Sequence, residues 1–275
     1  MDADRARLKE KELIDRIKGL GSVLVAFSGG IDSTFLLAMA QKALGDRVVA
    51  ATAKSVIHPA SEGEGARLFA KKRGIEHIVF RSKEMEVPEF LANEPDRCYH
   101  CKRLLFDRLF EIAADRGIKY VAHGANVDDL KDFRPGFRAS NESGVIAPLI
   151  EARIGKDEVR LLARKDGLEN WDKPALPCLA SRIPYGSPIT REKLEMIEKA
   201  EMFLTGKGFK QVRVRHHGLL ARIEVDDMDK RFLIDDVFKK SVVDELHKIG
   251  FEHIALDLEG YVPGKMNRGL KRKTR

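Results

Sequence analysis

A stretch of small and polar residues, SGGIDS from Ser28 to Ser33, lies between an apolar run and a helical pattern. Backbone N–H groups at the start of a helix point outward without partners, and the helix dipole favours negative charge there. Gly29 and Gly30 let the backbone approach an anion closely, and the two serines add hydroxyl donors. Asp32 either caps the helix or holds a metal ion. The stretch therefore predicts a phosphate-binding loop.

Polar residues also follow the second and fourth predicted strands. The carboxyl ends of parallel strands meet at one edge of an open sheet, where nucleotides bind. We therefore expect further nucleotide contacts along this edge, although a helix cap explains the acids of HGANVDD (123–129) equally well, and a structural turn explains the loop at 134–136. The predicted contacts are Lys54, Ser55, Gly124, Asn126, Asp129 and Arg134.

The chain has three cysteines, Cys98, Cys101 and Cys178, of which the first two form a C-x-x-C. A small, odd number is not a disulfide framework in a protein that we expect to be cytoplasmic. It indicates metal, redox or nucleophilic chemistry. The C-x-x-C alone is compatible with a redox dithiol, or with a zinc site completed by Cys178 and a histidine such as His100.

A pair of arginines, Arg213 and Arg215, occupies one face of a predicted strand in the last third of the chain. Two parallel guanidinium groups form a good phosphate clamp. On the facing strand Arg222 and Glu224 share a face, and Glu224 could hold an arginine or bind a metal. The alternative is a cross-strand lattice of ion pairs that faces solvent.

Helices and strands must position these residues. Over the first two-thirds of the chain, short apolar runs alternate with helical patterns. That alternation predicts an α/β fold with a doubly wound parallel sheet. The predicted strands are 23–27, 47–52, 76–80, 120–123 and a short fifth at 145–148, with helices at 34–44, 62–73, 101–116 and 156–166.

A proline-rich segment at 173–190 excludes a regular element and marks a boundary. We expect a nucleotide-binding domain over residues 1–186 and a smaller C-terminal α/β domain over 187–275, for substrate binding or oligomerisation. The predicted elements of the second domain are a helix at 191–205, strands at 210–215 and 219–225 joined by a turn at 216–218, a helix at 232–249 and a strand at 252–258.

The formal net charge of +7 suits an anionic partner such as a nucleotide, a phosphorylated metabolite or RNA. No apolar run approaches the length that spans a bilayer, and the N-terminal segment is charged throughout. We expect a cytoplasmic protein without a membrane partner, and we regard nucleic acid as a less favoured partner than a small anionic substrate.

The SGGIDS stretch has no lysine after its glycines, as a P-loop requires, and it does not match G-x-G-x-x-G. It closely resembles the signature of the PP-loop ATP pyrophosphatases. The resemblance implies an adenine nucleotide α-hydrolase-like fold that uses ATP and Mg²⁺. In that superfamily the loop holds the pyrophosphate of ATP while a substrate attacks the α-phosphorus, which gives an adenylated substrate and pyrophosphate.

The whole array of motifs is similar to that of the LarE family of ATP-dependent sulfur transferases: SGGIDS, RCYHCK, HGANVDD, RPG, PALPCLASRIPYG and EGYVPGKMN. The resemblance implies a pyridinium-3,5-biscarboxylic acid mononucleotide substrate, derived from nicotinic acid. Each ring carboxylate would become a thiocarboxylate of the nickel-pincer nucleotide cofactor of lactate racemase. It also implies a homo-oligomer, and pathway partners that carboxylate the precursor and insert nickel.

The family divides over its source of sulfur. In one branch the linker cysteine, matched here by Cys178, gives up its own sulfur. In the other, three cysteines hold a [4Fe–4S] cluster whose open iron carries an extra sulfide, and all three positions are present here. Iron–sulfur clusters take thiolate ligands, which favours the second branch. A PP-loop tRNA thiolase is the further alternative.

The resemblance also carries roles for individual residues. It implies catalytic roles for Asp32 and Cys178 and places Arg213, Arg215 and Glu224 beside the active site. Ser181 and Arg182 come just after Cys178, so adjacency predicts that they lie near the reacting carboxylate as further catalytic residues.

Overall fold

The computed structural model describes residues 3–131, 135–174 and 176–272. The chain forms two compact units, and each is described by itself. The first comprises residues 1–87 and 96–176, and the second comprises 88–95 and 177–275.

The first unit contains a four-stranded parallel sheet in the order β3-β2-β1-β4. Its strands are β1 (Val23–Ala26), β2 (Val48–Lys54), β3 (Glu76–Arg81) and β4 (Val121–His123). The sequences of β1 and β2 are nearly continuous apolar runs because both faces of a parallel sheet are covered. The α/β fold class predicted from the sequence is confirmed.

The α-helices of the described residues follow one another along both units. They are α1 (Ala3–Gly19), α2 (Ile31–Leu44), α3 (Ala60–Arg73), α4 (Pro88–Leu91), α5 (Arg97–Ala114), α6 (Pro135–Ser143), α7 (Pro148–Glu151), α8 (Lys156–Lys165), α9 (Arg191–Gly206), α10 (Lys230–Ile234) and α11 (Asp236–Ile249). None of them is both long and apolar enough to cross a membrane.

Helix α2 is the central helix of the first unit. Phe35, Leu36, Leu37 and Met39 are all fully buried, because α2 packs between the sheet and the helices α1 and α8. A helix that is apolar on every side lies inside a protein. Its N-terminus is therefore held firmly at the carboxyl edge of β1, where the predicted phosphate loop begins.

The second unit has a mixed three-stranded sheet in the order β5-β6-β7. Strands β5 (Val212–His217) and β6 (Leu220–Val225) are antiparallel, and β7 (His253–Leu256) pairs with β6 in parallel. Helices α9 and α11 pack on this sheet around an apolar core that includes Leu204, Val214 and Leu246.

The units divide ten residues earlier in the chain than expected from the proline-rich segment. Residues 179–182 form a short 3-10 helix, and Arg182 within it makes a bidentate ion pair with Glu201 of α9 (2.7 and 2.9 Å). The guanidinium is fully buried and the carboxylate is nearly so. This charge pair joins the segment around Cys178 to the second unit.

A short excursion of the chain at 88–95 also belongs to the second unit. Asn93 is fully buried with φ of +59°. Its side-chain amide donates to the carbonyls of Pro184 (2.8 Å) and Ser187 (2.7 Å), and its own carbonyl accepts from Gly186 N. Nothing in the local sequence pattern indicates this pairing across some ninety residues.

Three local predictions were wrong. Residues 145–148 form no strand but a single bridge, Ala122 to Ile146, because Pro148 begins α7. The helix predicted over 232–249 is interrupted at Asp235, which caps α11 by accepting from Phe238 N (3.1 Å). The turn predicted at 216–218 begins later, since residues 216 and 217 complete β5.

The Arg182–Glu201 pair yields a prediction about stability. Replacing Arg182 with Met leaves the Glu201 carboxylate buried without its cation, and we expect the free energy of unfolding to fall by about 3 kcal/mol. Denaturant titration measures this loss. The control Lys240→Met breaks an exposed pair with Asp244 and should cost less than about 1 kcal/mol.

The double variant Arg182→Met, Glu201→Met should recover much of the lost stability, since no charge is then left buried. A double variant no more stable than Arg182→Met would contradict the assignment of the cost to an orphaned carboxylate.

Candidate functional site

The loop between β1 and α2 has the backbone geometry that the sequence predicted. Gly29 has φ of +80°, and a Cβ there would lie 2.9 Å from the Glu62 carbonyl oxygen. Gly30 precedes the first residue of α2, and its N–H donates to Ser28 Oγ at 3.3 Å. A side chain at Gly29 would therefore meet both an unfavourable φ and the neighbouring helix α3.

Hydroxyl groups tie this loop to the first turn of α2. Ser33 Oγ donates to the Gly30 carbonyl (3.0 Å) and accepts from Ser28 N (3.3 Å). The two serine hydroxyls are 3.1 Å apart. The loop thus holds its shape through its own side chains, with the N-terminus of a buried helix beside it, which is an anion-binding arrangement.

Asp32 lies in the first turn of α2 and is not its cap, since Gly30 occupies that position. Its Oδ1 accepts from the Asn126 side-chain amide at 3.1 Å, and Asn126 is fully buried. Burial raises the pKa of Asp32, and the nearby Asp129 carboxylate raises it further, whereas Lys156 lowers it. The helix-cap role is therefore excluded, and the metal-binding role stays a prediction.

Gly124 brings the end of β4 against the start of α2. A Cβ at Gly124 would lie 2.7 Å from Ser33 N and 2.9 Å from the Asp32 carbonyl carbon. Only glycine permits this approach, because both contacts are with backbone atoms. The HGANVDD and SGGIDS segments, predicted to share one edge of the sheet, are brought together there.

The other predicted nucleotide contacts have different surroundings. Lys54 is exposed at the end of β2, and Ser55 Oγ donates to Glu84, a buried carboxylate that sequence reasoning did not select. The Asp129 carboxylate accepts from Asn126 N at 3.1 Å. Arg134 lies outside the described residues. These assignments therefore stay predictions.

Two cations beside Asp32 were also missed. Lys156 and Arg160 stand four residues apart on α8, and both lower the pKa of Asp32. Their i, i+4 spacing at the start of a predicted helix was the available signal. They add positive charge to the edge at which a phosphate would bind.

Cys98 and Cys101 lie about one turn apart at the start of α5, where residues at i and i+3 share a face. Both are half-buried. His100, the histidine weighed for a zinc site, points its Nε2 toward the Asp96 carboxylate at 3.5 Å. In the part of the chain that the structure describes, no group of three or more His, Cys, Asp and Glu side chains is placed to hold a metal ion.

Cys178 belongs to the second unit and immediately precedes the short helix at 179–182. Its carbonyl accepts from Ser181 N (2.9 Å) and from Arg182 Nη1 (3.2 Å). Arg182 also donates to the carbonyl of Pro177 (2.6 Å), so that its guanidinium is engaged on every side. The structure places Arg182 as a buried support of the cysteine loop.

The predicted arginine pair of β5 is buried. Arg215 donates twice to Glu224 (2.6 and 3.0 Å) and once to the Ser181 carbonyl (2.9 Å), and Arg222 donates to the other oxygen of Glu224 (3.1 Å). Glu224 is fully buried. This network is therefore not the solvent-facing lattice considered from the sequence, and it connects β5 to the loop that carries Cys178.

Arg213, opposite Glu224 in the strand register, has its own environment. Its guanidinium lies over the Tyr261 ring (5.1 Å) and donates to the Val212 carbonyl (2.6 Å). Burial lowers the pKa of Arg213 to about 10, and the charge of Arg182 contributes. A guanidinium with this pKa is still cationic at neutral pH.

Comparison with known proteins agrees with this architecture. The asparagine synthase family matches residues 12–109, which carry the loop and α2. An uncharacterised protein of Synechocystis is 44% identical over 251 residues, 91% of this chain and 94% of its own. The GMP synthase of Aeropyrum pernix is 30% identical over 215 residues, which cover 69% of this chain and 41% of that protein.

The pyridinium-3,5-bisthiocarboxylic acid mononucleotide synthase of Lactiplantibacillus plantarum is 37% identical over 263 residues, 95% of each chain. The sheet, the loop and these matches define a PP-loop ATP pyrophosphatase. Within that class the chain belongs to the LarE family and is an ATP-dependent sulfur-transferring enzyme. The family resemblance predicted from the sequence is confirmed.

The close approach at Gly124 yields a second prediction. Gly124→Ala should push the end of β4 away from α2 and lower ATP-dependent activity by about 100-fold, the effect of misplacing groups by roughly 1 Å. The control Gly65→Ala, in a helix with open space around it, should leave activity unchanged. Steady-state kinetics measure both, and full activity of Gly124→Ala would contradict the proposed approach.

Asp32 yields a third prediction. Because folding raises the pKa of Asp32, its ionised form is less favourable in the folded than in the unfolded chain at neutral pH. Asp32→Asn should therefore raise the Tm of the ligand-free protein while abolishing ATP turnover. Asp46→Asn, at an exposed carboxylate on the opposite edge of the sheet, should change neither quantity. A lower Tm for Asp32→Asn would contradict this reading.

Proposed function

We propose that the enzyme converts the two ring carboxylates of pyridinium-3,5-biscarboxylic acid mononucleotide to thiocarboxylates, at the expense of ATP. The observation that carries this proposal is the match over 95% of both chains to the synthase of the corresponding bisthiocarboxylate. The product is the precursor into which nickel would be inserted. The enzymes that carboxylate the ring and load the metal are then its neighbours in the pathway.

The first half-reaction takes place at the phosphate loop. The backbone N–H of Gly29 and the hydroxyl of Ser28 would hold the pyrophosphate of ATP. The Gly30 N–H and the Ser33 hydroxyl would join them by exchanging their bonds to Ser28 Oγ and the Gly30 carbonyl for bonds to phosphate oxygens. A substrate carboxylate oxygen attacks the α-phosphorus, and the bond to the β-phosphate oxygen breaks. The acyl adenylate so formed has AMP as a good leaving group, which the free carboxylate lacks.

Mg²⁺ fits the acid at the start of α2. Asp32 supplies a hard oxygen donor, and burial together with a second nearby carboxylate leaves it with a raised pKa, which a bound cation would offset. A magnesium ion there would neutralise charge on the phosphates. Lys156 and Arg160 add positive charge on the same side.

The phosphate of the substrate fits the arginines of β5. Glu224 accepts from both Arg215 and Arg222, Arg222 also pairs with Asp257 (3.4 Å), and Arg213 is a further buried cation. Arg215 also holds the Ser181 carbonyl, three residues from Cys178. A phosphate bound to these guanidinium groups would place the attached ring near that cysteine.

We propose that sulfur comes from a [4Fe–4S] cluster held by Cys98, Cys101 and Cys178. The donor set fits, because three thiolates leave one iron without a protein ligand and the C-x-x-C supplies two of them from one half-buried helix face. A sulfide delivered there would attack the acyl carbon, form the new C–S bond and release AMP. When bound, such a cluster would supply the sulfide, and the chain's own residues would hold the adenylate.

The competing source is Cys178 itself. Its thiolate would attack the adenylate and expel AMP, and elimination across its Cα–Cβ bond would then leave the thiocarboxylate and dehydroalanine. The half-buried position of Cys178 beside Ser181 permits this route as well. Such a chain would act once for each sulfur atom.

The fourth prediction tests these steps with protein purified without oxygen. Wild type given the dicarboxylate mononucleotide, Mg²⁺, ATP and sulfide should release AMP and pyrophosphate and form thiocarboxylate over many turnovers. It should contain about four irons per chain, with broad absorption at about 400 nm. Cys98→Ser and Cys101→Ser should lose the iron and the thiocarboxylate but keep substrate-dependent ATP–pyrophosphate exchange.

Two controls separate the alternatives. His100→Ala should keep its iron, whereas a zinc site that includes His100 would be lost. A mass decrease of about 34 Da at Cys178 after one turnover would overturn the cluster in favour of sacrificial donation. Retained binding of tRNA at about 200 mM salt, together with no exchange on the pyridinium substrate, would overturn the substrate in favour of RNA thiolation.

A further inference from the structure

Three carbonyl groups in the phosphate loop or directly before it accept from side chains behind the loop. A peptide whose N–H faces an anion must turn its carbonyl elsewhere, and that oxygen then needs a donor. The donors come from three parts of the chain: Thr52 Oγ1 bonds the Phe27 carbonyl (2.6 Å), Asn170 Nδ2 bonds that of Gly29 (3.3 Å), and Thr34 Oγ1 bonds that of Gly30 (3.0 Å).

Thr52 acts where the sheet ends and the loop begins. The pairing of β1 with β2 stops at Ala26 and Ala51, and Phe27 N still donates to the Ala51 carbonyl. One residue further along β2, the buried hydroxyl of Thr52 donates a hydrogen bond to the Phe27 carbonyl. A side chain thus sets the orientation of the peptide that leads into Ser28.

His77 on β3 stands behind Thr52. Its Nε2 is 2.7 Å from Thr52 Oγ1. Thr52 has one hydroxyl proton and gives it to a carbonyl, which can only accept, so the proton between Thr52 and His77 must belong to Nε2. Burial lowers the pKa of His77, and its ring packs 5.8 Å from that of Phe27. A hydrogen-bonded chain therefore runs from His77 through Thr52 to the loop.

A second series of hydrogen bonds has the same order of donors. The Asn170 amide, beyond the end of α8, donates to the Gly29 carbonyl and also to Thr34 Oγ1 (3.0 Å). Thr34 in turn donates to the Gly30 carbonyl. In both series of hydrogen bonds, an outer side chain donates to a threonine hydroxyl, and that hydroxyl donates to a carbonyl at the loop.

We propose that Thr52, His77 and Asn170 are positioning residues of the phosphate loop: through the carbonyls of Phe27 and Gly29 they fix the orientation of its peptides, and so the shape in which the loop meets the pyrophosphate of ATP. These residues act through the loop and do not contact the ligand themselves. Each belongs to a different segment of the first unit. The inference rests on the proposed role of the loop in holding pyrophosphate.

The test compares binding of pyrophosphate with binding of AMP, because only the former depends mainly on the loop. Thr52→Val keeps the shape of the side chain and removes the hydroxyl. We expect it to raise the calorimetric Kd of pyrophosphate about tenfold, the effect of one lost hydrogen bond, and to leave that of AMP within about twofold. The KM for ATP should rise with it, and Thr52→Ser should restore both.

His77 and Asn170 are tested in the same way. His77→Met and Asn170→Leu should each raise the pyrophosphate Kd at least about threefold, and His77→Gln, which keeps a donor near the Nε2 position, should stay near wild type. The matched control is Gln41→Leu. It removes an amide-to-carbonyl hydrogen bond to Arg73 (2.7 Å) from the other end of α2 and should leave both dissociation constants unchanged.

Folded Thr52→Val with an unchanged pyrophosphate Kd would overturn the inference. Should that variant not fold, unchanged values for His77→Met and Asn170→Leu would overturn it equally. Wild type that binds AMP but no pyrophosphate would instead refute the proposed role of the loop, and with it the inference.

Discussion

Backbone N–H groups can hold an anion only when the carbonyls of the same segment are directed away and satisfied elsewhere. In this protein that constraint organises the whole first unit. Strand β1 brings the chain to the loop, and the buried helix α2 carries it away at a fixed angle. Gly124, which follows β4, lets the end of that strand contact the start of α2. The sheet thus supports the loop that we propose as the anion site.

The second unit is subject to a different constraint, because it buries several charged guanidinium groups. Burial of an ion costs more than its pairing returns unless its hydrogen bonds are well made. Glu201 and Glu224 supply these bonds for Arg182 and Arg215. The same bonds hold the loop of Cys178 against β5, so the arginines that suit a phosphate and the cysteine that suits sulfur chemistry belong to one network.

Much of the fold and part of the site could be predicted from the sequence, because both are encoded over short distances along the chain. An apolar run, two glycines and a helical pattern within some twenty residues specify strand, loop and helix together. The bounds of β1, α2 and β4 differ from the prediction by at most three residues. The failures at 145–148 and 232–249 arose where a proline or a capping aspartate ended a pattern that hydrophobicity alone continued.

The sequence by itself therefore determined the class of fold, the glycine loop between β1 and α2, and the family. Only the tertiary structure decided which side chains support that loop and which unit carries the cysteine segment. Thr52 and Phe27 are 25 residues apart, and Asn93 and Ser187 are 94 apart. Such contacts depend on how packed elements meet in space, and the periodicity of a single sequence carries no record of that.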